Sequence, residues 1–109
     1  MFCNDDALAD DLYNAGMRVQ DPMWRLPLWP GYRKMIDAKT ADITNAPEGG
    51  FAGAITAALF LQEFVGPNIP WAHVDMIAWN QSNRPGRPEG GEAQTVRACF
   101  EVIKERFGG

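Results

Sequence analysis

The 109-residue sequence lacks most of what dedicated chemistry or membrane insertion requires. It has one histidine, His73, and two cysteines, Cys3 and Cys99, with no Cys-x-x-Cys pair. That inventory excludes a zinc site of the Cys/His kind. There is no basic run. The ten Lys and Arg are scattered and the net charge is −4, which argues against a nucleic-acid partner. The apolar run inside Gly50–Val65 falls short of the roughly 20 residues that cross a bilayer, and no basic residues flank it, so no membrane partner is expected. The start, Met1-Phe2-Cys3-Asn4-Asp5-Asp6, turns acidic at once and does not read as a signal peptide. Two reduced thiols in a cytoplasmic protein are expected, although one Cys3–Cys99 disulfide is open in principle.

What is present reads as one domain at most, with a modest core. Residues 4–19 predict a helix. Asn4 or Asp5 can cap it, Ala7, Leu8, Leu12, Ala15 and Val19 recur at helical spacing, and Asp21-Pro22 stops it. Trp24, Leu26 and Leu28 alternate with Arg25 and Pro27, predicting a short edge strand. Residues 31–38 predict a short helix, and 39–50 a loop. A helix follows from about Gly50 to Val65, closed by Gly66-Pro67-Asn68. Trp71 to Trp79 reads as a strand covered on both faces. Residues 80–91 read as irregular loop, and 92–107 as a helix with Val96, Cys99, Phe100, Ile103 and Phe107 on one apolar stripe. The order α, β, α, loop, α, β, α indicates an α/β layered structure with few strands flanked by helices.

The stretch Glu48-Gly49-Gly50-Phe51-Ala52-Gly53-Ala54 admits two readings. A phosphate loop needs a strand before it and a Lys or Ser/Thr at the helix start, and neither fits well here. Close packing fits better, because Gly50, Gly53, Ala54, Ala57 and Ala58 give a thin face. A helix this apolar needs neighbours all round, more than the chain's own elements supply. The missing ones belong to another chain or to a longer protein.

Several residues in order carry a resemblance: Trp24-Arg25-Leu26-Pro27-Leu28, Tyr32, Ala41-Asp42, Asn45, Gly53-Ala54-Ile55-Thr56-Ala57-Ala58, Phe60-Leu61, Phe64, Trp71-Ala72-His73-Val74-Asp75 and Val96-Arg97. Together they resemble the C-terminal part of the catalytic domain of the leucyl (cytosol) aminopeptidase family, the two-metal exopeptidases of family M17. The resemblance implies that residues 1–109 are a single partial domain, a piece of a larger mixed-sheet peptidase domain. It implies a homo-oligomer and a peptide substrate for the complete enzyme, with zinc or manganese as its cofactor. The family's ligands are a lysine, three aspartates and a glutamate, mostly in or near an Asn-Thr-Asp-Ala-Glu-Gly-Arg motif. This sequence contains no such motif, so no catalytic residue and no metal ligand is assigned, and the chain alone is expected to be inactive. It is expected to begin after the metal site. The resemblance places Ala46, Ile77 and Asn80 on the rim of the substrate pockets. Ile77 stands where the family usually has alanine, implying a narrower pocket, and Asn80 implies a more polar one. The partner is the remainder of the catalytic domain or a second copy of the chain.

Other features read as structural. His73 and Asp75 share one face of a strand and could form an acid/base pair, yet no nucleophile lies beside them, and hydrogen-bonding roles fit better. Asp5, Asp6, Asp10 and Asp11 read as a helix start and a solvated face. Asp42 and Glu48 alone make a poor metal site. Arg84 and Arg87 read as loop charge, and Trp24, Trp29, Trp71 and Trp79 as core or interface. Two further functional readings stand beside the peptidase: a self-associating structural protein without catalysis, and a nucleotide-binding domain through Gly49 to Gly53.

Overall fold

The structure is a computed structural model that describes residues 1–37 and 53–108. The expected loop over 39–50, with Asp42 and Glu48, the glycines Gly49 and Gly50, and the pocket residue Ala46 lie outside the described residues. The chain divides into two compact units, Met1–Ala9 with Arg25–His73, and Asp10–Trp24 with Val74–Gly109.

In the first unit, β1 (Phe2–Cys3) pairs antiparallel with β2 (Ala72–His73), placing Phe2 opposite His73 and Cys3 opposite Ala72. So short a ladder is marginal on its own. Asn4 extends it. Its N–H donates to Trp71 O (3.2 Å), and its side chain donates to Ile69 O (2.9 Å) and accepts Trp71 N–H (2.7 Å). The ring of buried Phe2 stacks on His73, with centroids 6.2 Å apart, and His73 stacks on Trp71 at 6.3 Å. His73 is thus an aromatic packing element, and Asp75 is exposed.

The expected strand over residues 24–28 is irregular chain. Leu26 N–H reaches Met1 O at 2.8 Å, but Pro27 and Pro30 have no N–H to continue a ladder. The expected helix over 31–38 is a 3-10 helix, Pro30–Ile36, with proline at its start and Ile36 fully buried. It packs against α2 (Gly53–Gln62), and Arg33 links Glu63 to Asp37 through two ion pairs. The Glu63 hydrogen bond, then that of Asp37, raises the Arg33 guanidinium above its ordinary pKa. Helix α2 is covered unevenly among the described residues. Thr56, Ala58 and Leu59 are buried, whereas Leu61 and, just beyond the helix, Phe64 are exposed.

Helix α1 (Asp6–Arg18) gives its first turn to the first unit and the rest to the second. Asp5 Oδ1 caps it by accepting Leu8 N–H at 2.7 Å. Ala9, Leu12 and Ala15 are buried along one face, as their spacing predicts. The helix ends where Asp21 N–H donates to Gly16 O at 2.8 Å. Any Cβ at Gly16 would lie 2.6 Å from Asp21 O, so the closing turn requires glycine there. Asp6 pairs with Arg25 at 2.7 Å and Asp11 with Arg106 at 2.7 Å, so these two carboxylates of α1 are engaged in surface pairs.

The second unit sets α3 (Val96–Phe107) beside α1, tied by the Arg18–Glu105 and Arg106–Asp11 pairs. Leu12, Ala15, Met23, Ala98 and Val102 are its buried apolar residues. Its sheet is β3 (Trp79–Asn80) antiparallel to β4 (Gly90–Gly91). The strand expected from Trp71 to Trp79 is therefore two short strands in separate pairs. The fold is α/β as expected, with few, short and antiparallel strands among the described residues. Three of the four tryptophans, Trp24, Trp29 and Trp79, are exposed rather than in the core. Cys3 is buried, Cys99 half-buried, and both are free thiols.

Candidate functional site

The expected rim residues Ile77 and Asn80 lie in the second unit, at the start of the hairpin made by residues 79–91. Its tip is Arg84-Pro85-Gly86-Arg87. Arg84 and Arg87 exchange both backbone hydrogen bonds at 2.8 Å. Proline presets the second position of this turn, and Gly86 takes the left-handed third position at φ 69°. The register sets Trp79 against Gly91 and Asn80 against Gly90, whose φ of 124° favours glycine.

Asn80 is buried and fully engaged. Its amide donates to Arg87 O (2.8 Å) and Pro88 O (2.9 Å), and its oxygen accepts Arg84 Nε–H (3.1 Å). Arg84 then reaches Glu92 at 3.0 Å and Arg87 approaches it at 3.7 Å, so two guanidinium groups share one largely covered carboxylate. Arg84 and Arg87 hold the hairpin together rather than stand free.

Ile77 is 67% exposed. The next residue, Ala78, is held at φ 51°, a conformation that L-residues adopt at a cost. It is clamped from both sides: its N–H donates to Gln94 Oε1 (2.9 Å) and its carbonyl accepts Glu92 N–H (3.0 Å). That clamp fixes where the exposed Ile77 side chain starts. Ala78, Glu92 and Gln94 escaped the sequence reading. Only the Arg-Pro-Gly-Arg tip carried a local signal, as a proline–glycine turn.

Each unit carries a cleft of its own. One of about 600 Å³ lies in the first unit between Cys3, Arg25 and Gln62, with Arg25 turned to Asp6 (2.7 Å) and Cys3 O (3.3 Å). The other, about 260 Å³, lies in the second unit against Val19, Val96 and Phe100.

Comparison with known proteins decides the family. The profile described as "Cytosol aminopeptidase family, catalytic domain" matches residues 1–100. The chain belongs to the cytosol aminopeptidase family. A relative from Brucella melitensis, "Probable cytosol aminopeptidase", is 54% identical over 113 residues, spanning 98% of this chain and 22% of the relative. The crystal structure of the cytosol aminopeptidase from Coxiella burnetii superposes with a TM-score of 0.91 at 50% identity, over 97% of this chain and 23% of that one. The bottromycin maturation enzyme BotP in complex with Mn superposes at 0.90 with 34% identity, over 96% of this chain and 24% of that one. The chain thus spans under a quarter of the length of each of these proteins.

Among the described residues no group of three His, Cys, Asp or Glu side chains is placed to hold a metal ion. This donor set does not fit a two-metal centre. Nor, among the described residues, is any helix long and apolar enough to cross a membrane.

Proposed function

We propose that this chain is the scaffold and substrate-pocket rim of a two-metal aminopeptidase of the cytoplasm, the ligands and the catalytic arginine coming from the rest of the catalytic domain. The observation that carries this reading is the superposition on the Coxiella burnetii enzyme over nearly the whole chain, at 50% identity. In this role Ile77 offers apolar surface to the N-terminal side chain of a peptide, and its bulk relative to the family's usual alanine narrows that pocket. Asn80 acts through the hairpin it holds, because its own amide is taken. Ala46 is assigned to the adjoining pocket by the resemblance alone.

Alone, the chain hydrolyses nothing, because its sequence contains no Asn-Thr-Asp-Ala-Glu-Gly-Arg motif. The test is leucine amide hydrolysis by the purified chain with manganese or zinc. No turnover is expected. Turnover that co-elutes with the chain through two orthogonal columns overturns the proposal.

A second reading, a self-associating protein without catalysis, draws support from exposed aromatics such as Trp24 at 81%. Light scattering separates the two. A discrete oligomer of the isolated chain favours the second reading, and a monomer removes it.

A further inference from the structure

Helix α3 has two apolar aspects, and only the poorer one is used. Ala98 and Val102 are buried within the second unit. On another side stand Val96, Phe100, Ile103 and Phe107, with 59%, 60%, 59% and 80% of their surfaces exposed. At 100° per residue these four fall within about 60° of one another. They form one continuous stripe, and its N-terminal half overlooks the cleft of about 260 Å³ lined by Val19, Val96, Arg97, Phe100 and Glu101. Sequence periodicity marks such a stripe as the face a helix buries, and among the described residues it stays exposed.

Size decides what covers it. A stripe of about 18 Å by 10 Å has a footprint on the order of 200 Å², against roughly 800 Å² per partner in a stable association. A second copy docked on this stripe alone falls well short. A covering segment held in place by a larger domain meets no such threshold, because it pays little of the association cost. The solved relative that shares this fold at a TM-score of 0.91 has more than three-quarters of its length outside the matched part.

We infer that the Val96–Phe100–Ile103–Phe107 face of α3 is the docking face for the part of the peptidase domain that this chain does not span, with an apolar side chain of that part seated in the adjoining cleft. The inference rests on the proposed function and names the surface through which that function is assembled.

The test compares hydroxyl-radical footprinting of the 109-residue chain with that of a chimera in which the chain replaces the matching part of the Coxiella burnetii aminopeptidase. Phe100, Ile103 and Phe107 are expected to be oxidised in the free chain and to lose that labelling in the chimera. Phe100→Glu with Ile103→Glu is expected to leave the helicity of the free chain unchanged while abolishing assembly of the chimera. Equal labelling in both contexts overturns the inference, as does a chimera that does not fold, since a face made for that domain must be accepted by it. The two proposals fail differently. An active chimera with a labelled stripe removes the docking face and keeps the function. A folded, metal-loaded chimera with a protected stripe and no peptidase activity keeps the docking face and removes the function.

Discussion

Asp21 caps a helix that begins at Val96: its Oδ1 accepts the backbone N–H of Thr95 at 2.8 Å, 74 residues further along the chain. Its Oδ2 also takes Ala98 N–H at 3.2 Å, and Arg97 approaches at 3.8 Å. Thr95 itself makes no side-chain cap, so a distant buried carboxylate satisfies donors at the start of α3 that have no partner within the helix. Asp21→Ala leaves both N–H groups buried without a partner. A loss of about 2 kcal/mol is expected, read as a lower urea midpoint at unchanged slope. A midpoint equal to that of the unsubstituted chain would refute the assignment of the cap.

Thr95 pays for that junction with backbone strain. Its φ is 69°, unfavourable for a β-branched residue. Thr95→Gly is expected to raise stability by about 1 kcal/mol, a shift of several degrees in Tm for a chain of this size. A fall in Tm would mean that the threonine side chain, buried here, contributes more than the strain costs.

Burial, and after it the charge of Asp21, pushes the Cys99 thiol above its ordinary pKa. The folded state therefore favours the neutral thiol. Its contribution to stability is intact below the unfolded value of about 8.5 and declines as pH rises through the folded one. Alkylation of Cys99 by iodoacetamide at pH 8 is expected to be slower than that of the unfolded chain, and Asp21→Asn should accelerate it. Peptide mass mapping reads both rates, and equal rates would contradict the shift.

Asn80→Ala removes three hydrogen bonds, among them the donor to Pro88 O, while Arg87 O keeps the Arg84 N–H. A loss of about 1 kcal/mol is expected. Hydrogen exchange should accelerate at the Arg84 and Arg87 amides and leave α1 protected. Unchanged exchange at Arg84 and Arg87 would show that the ion pairs to Glu92 suffice without Asn80.

Features encoded by near neighbours were legible. The Asp5 cap, the Ala9–Leu12–Ala15 face and the Asp21-Pro22 stop are local, and α1 formed where they place it. The continuous apolar run from Trp71 to Trp79 misled, because a strand pattern does not reveal that Ala78 turns left-handed under the grip of Gln94 and Glu92. The helix expected from Glu92 starts only at Val96, since Asp21 fixes its first turn from far along the chain. The apolar stripe on α3 was visible, but periodicity cannot say which side its own unit covers. Ile77 and Asn80 carried no local mark of function and were reached only through the family resemblance.

Peptide hydrolysis by the chimera with the Coxiella burnetii aminopeptidase tests the central claim most directly. If the chain is the rim and scaffold of such an enzyme, the metal-loaded chimera turns over leucine amide within about tenfold of its parent, a loss of no more than ~1.4 kcal/mol in transition-state stabilisation. A chimera that folds, binds its metals and leaves leucine amide intact would contradict the account.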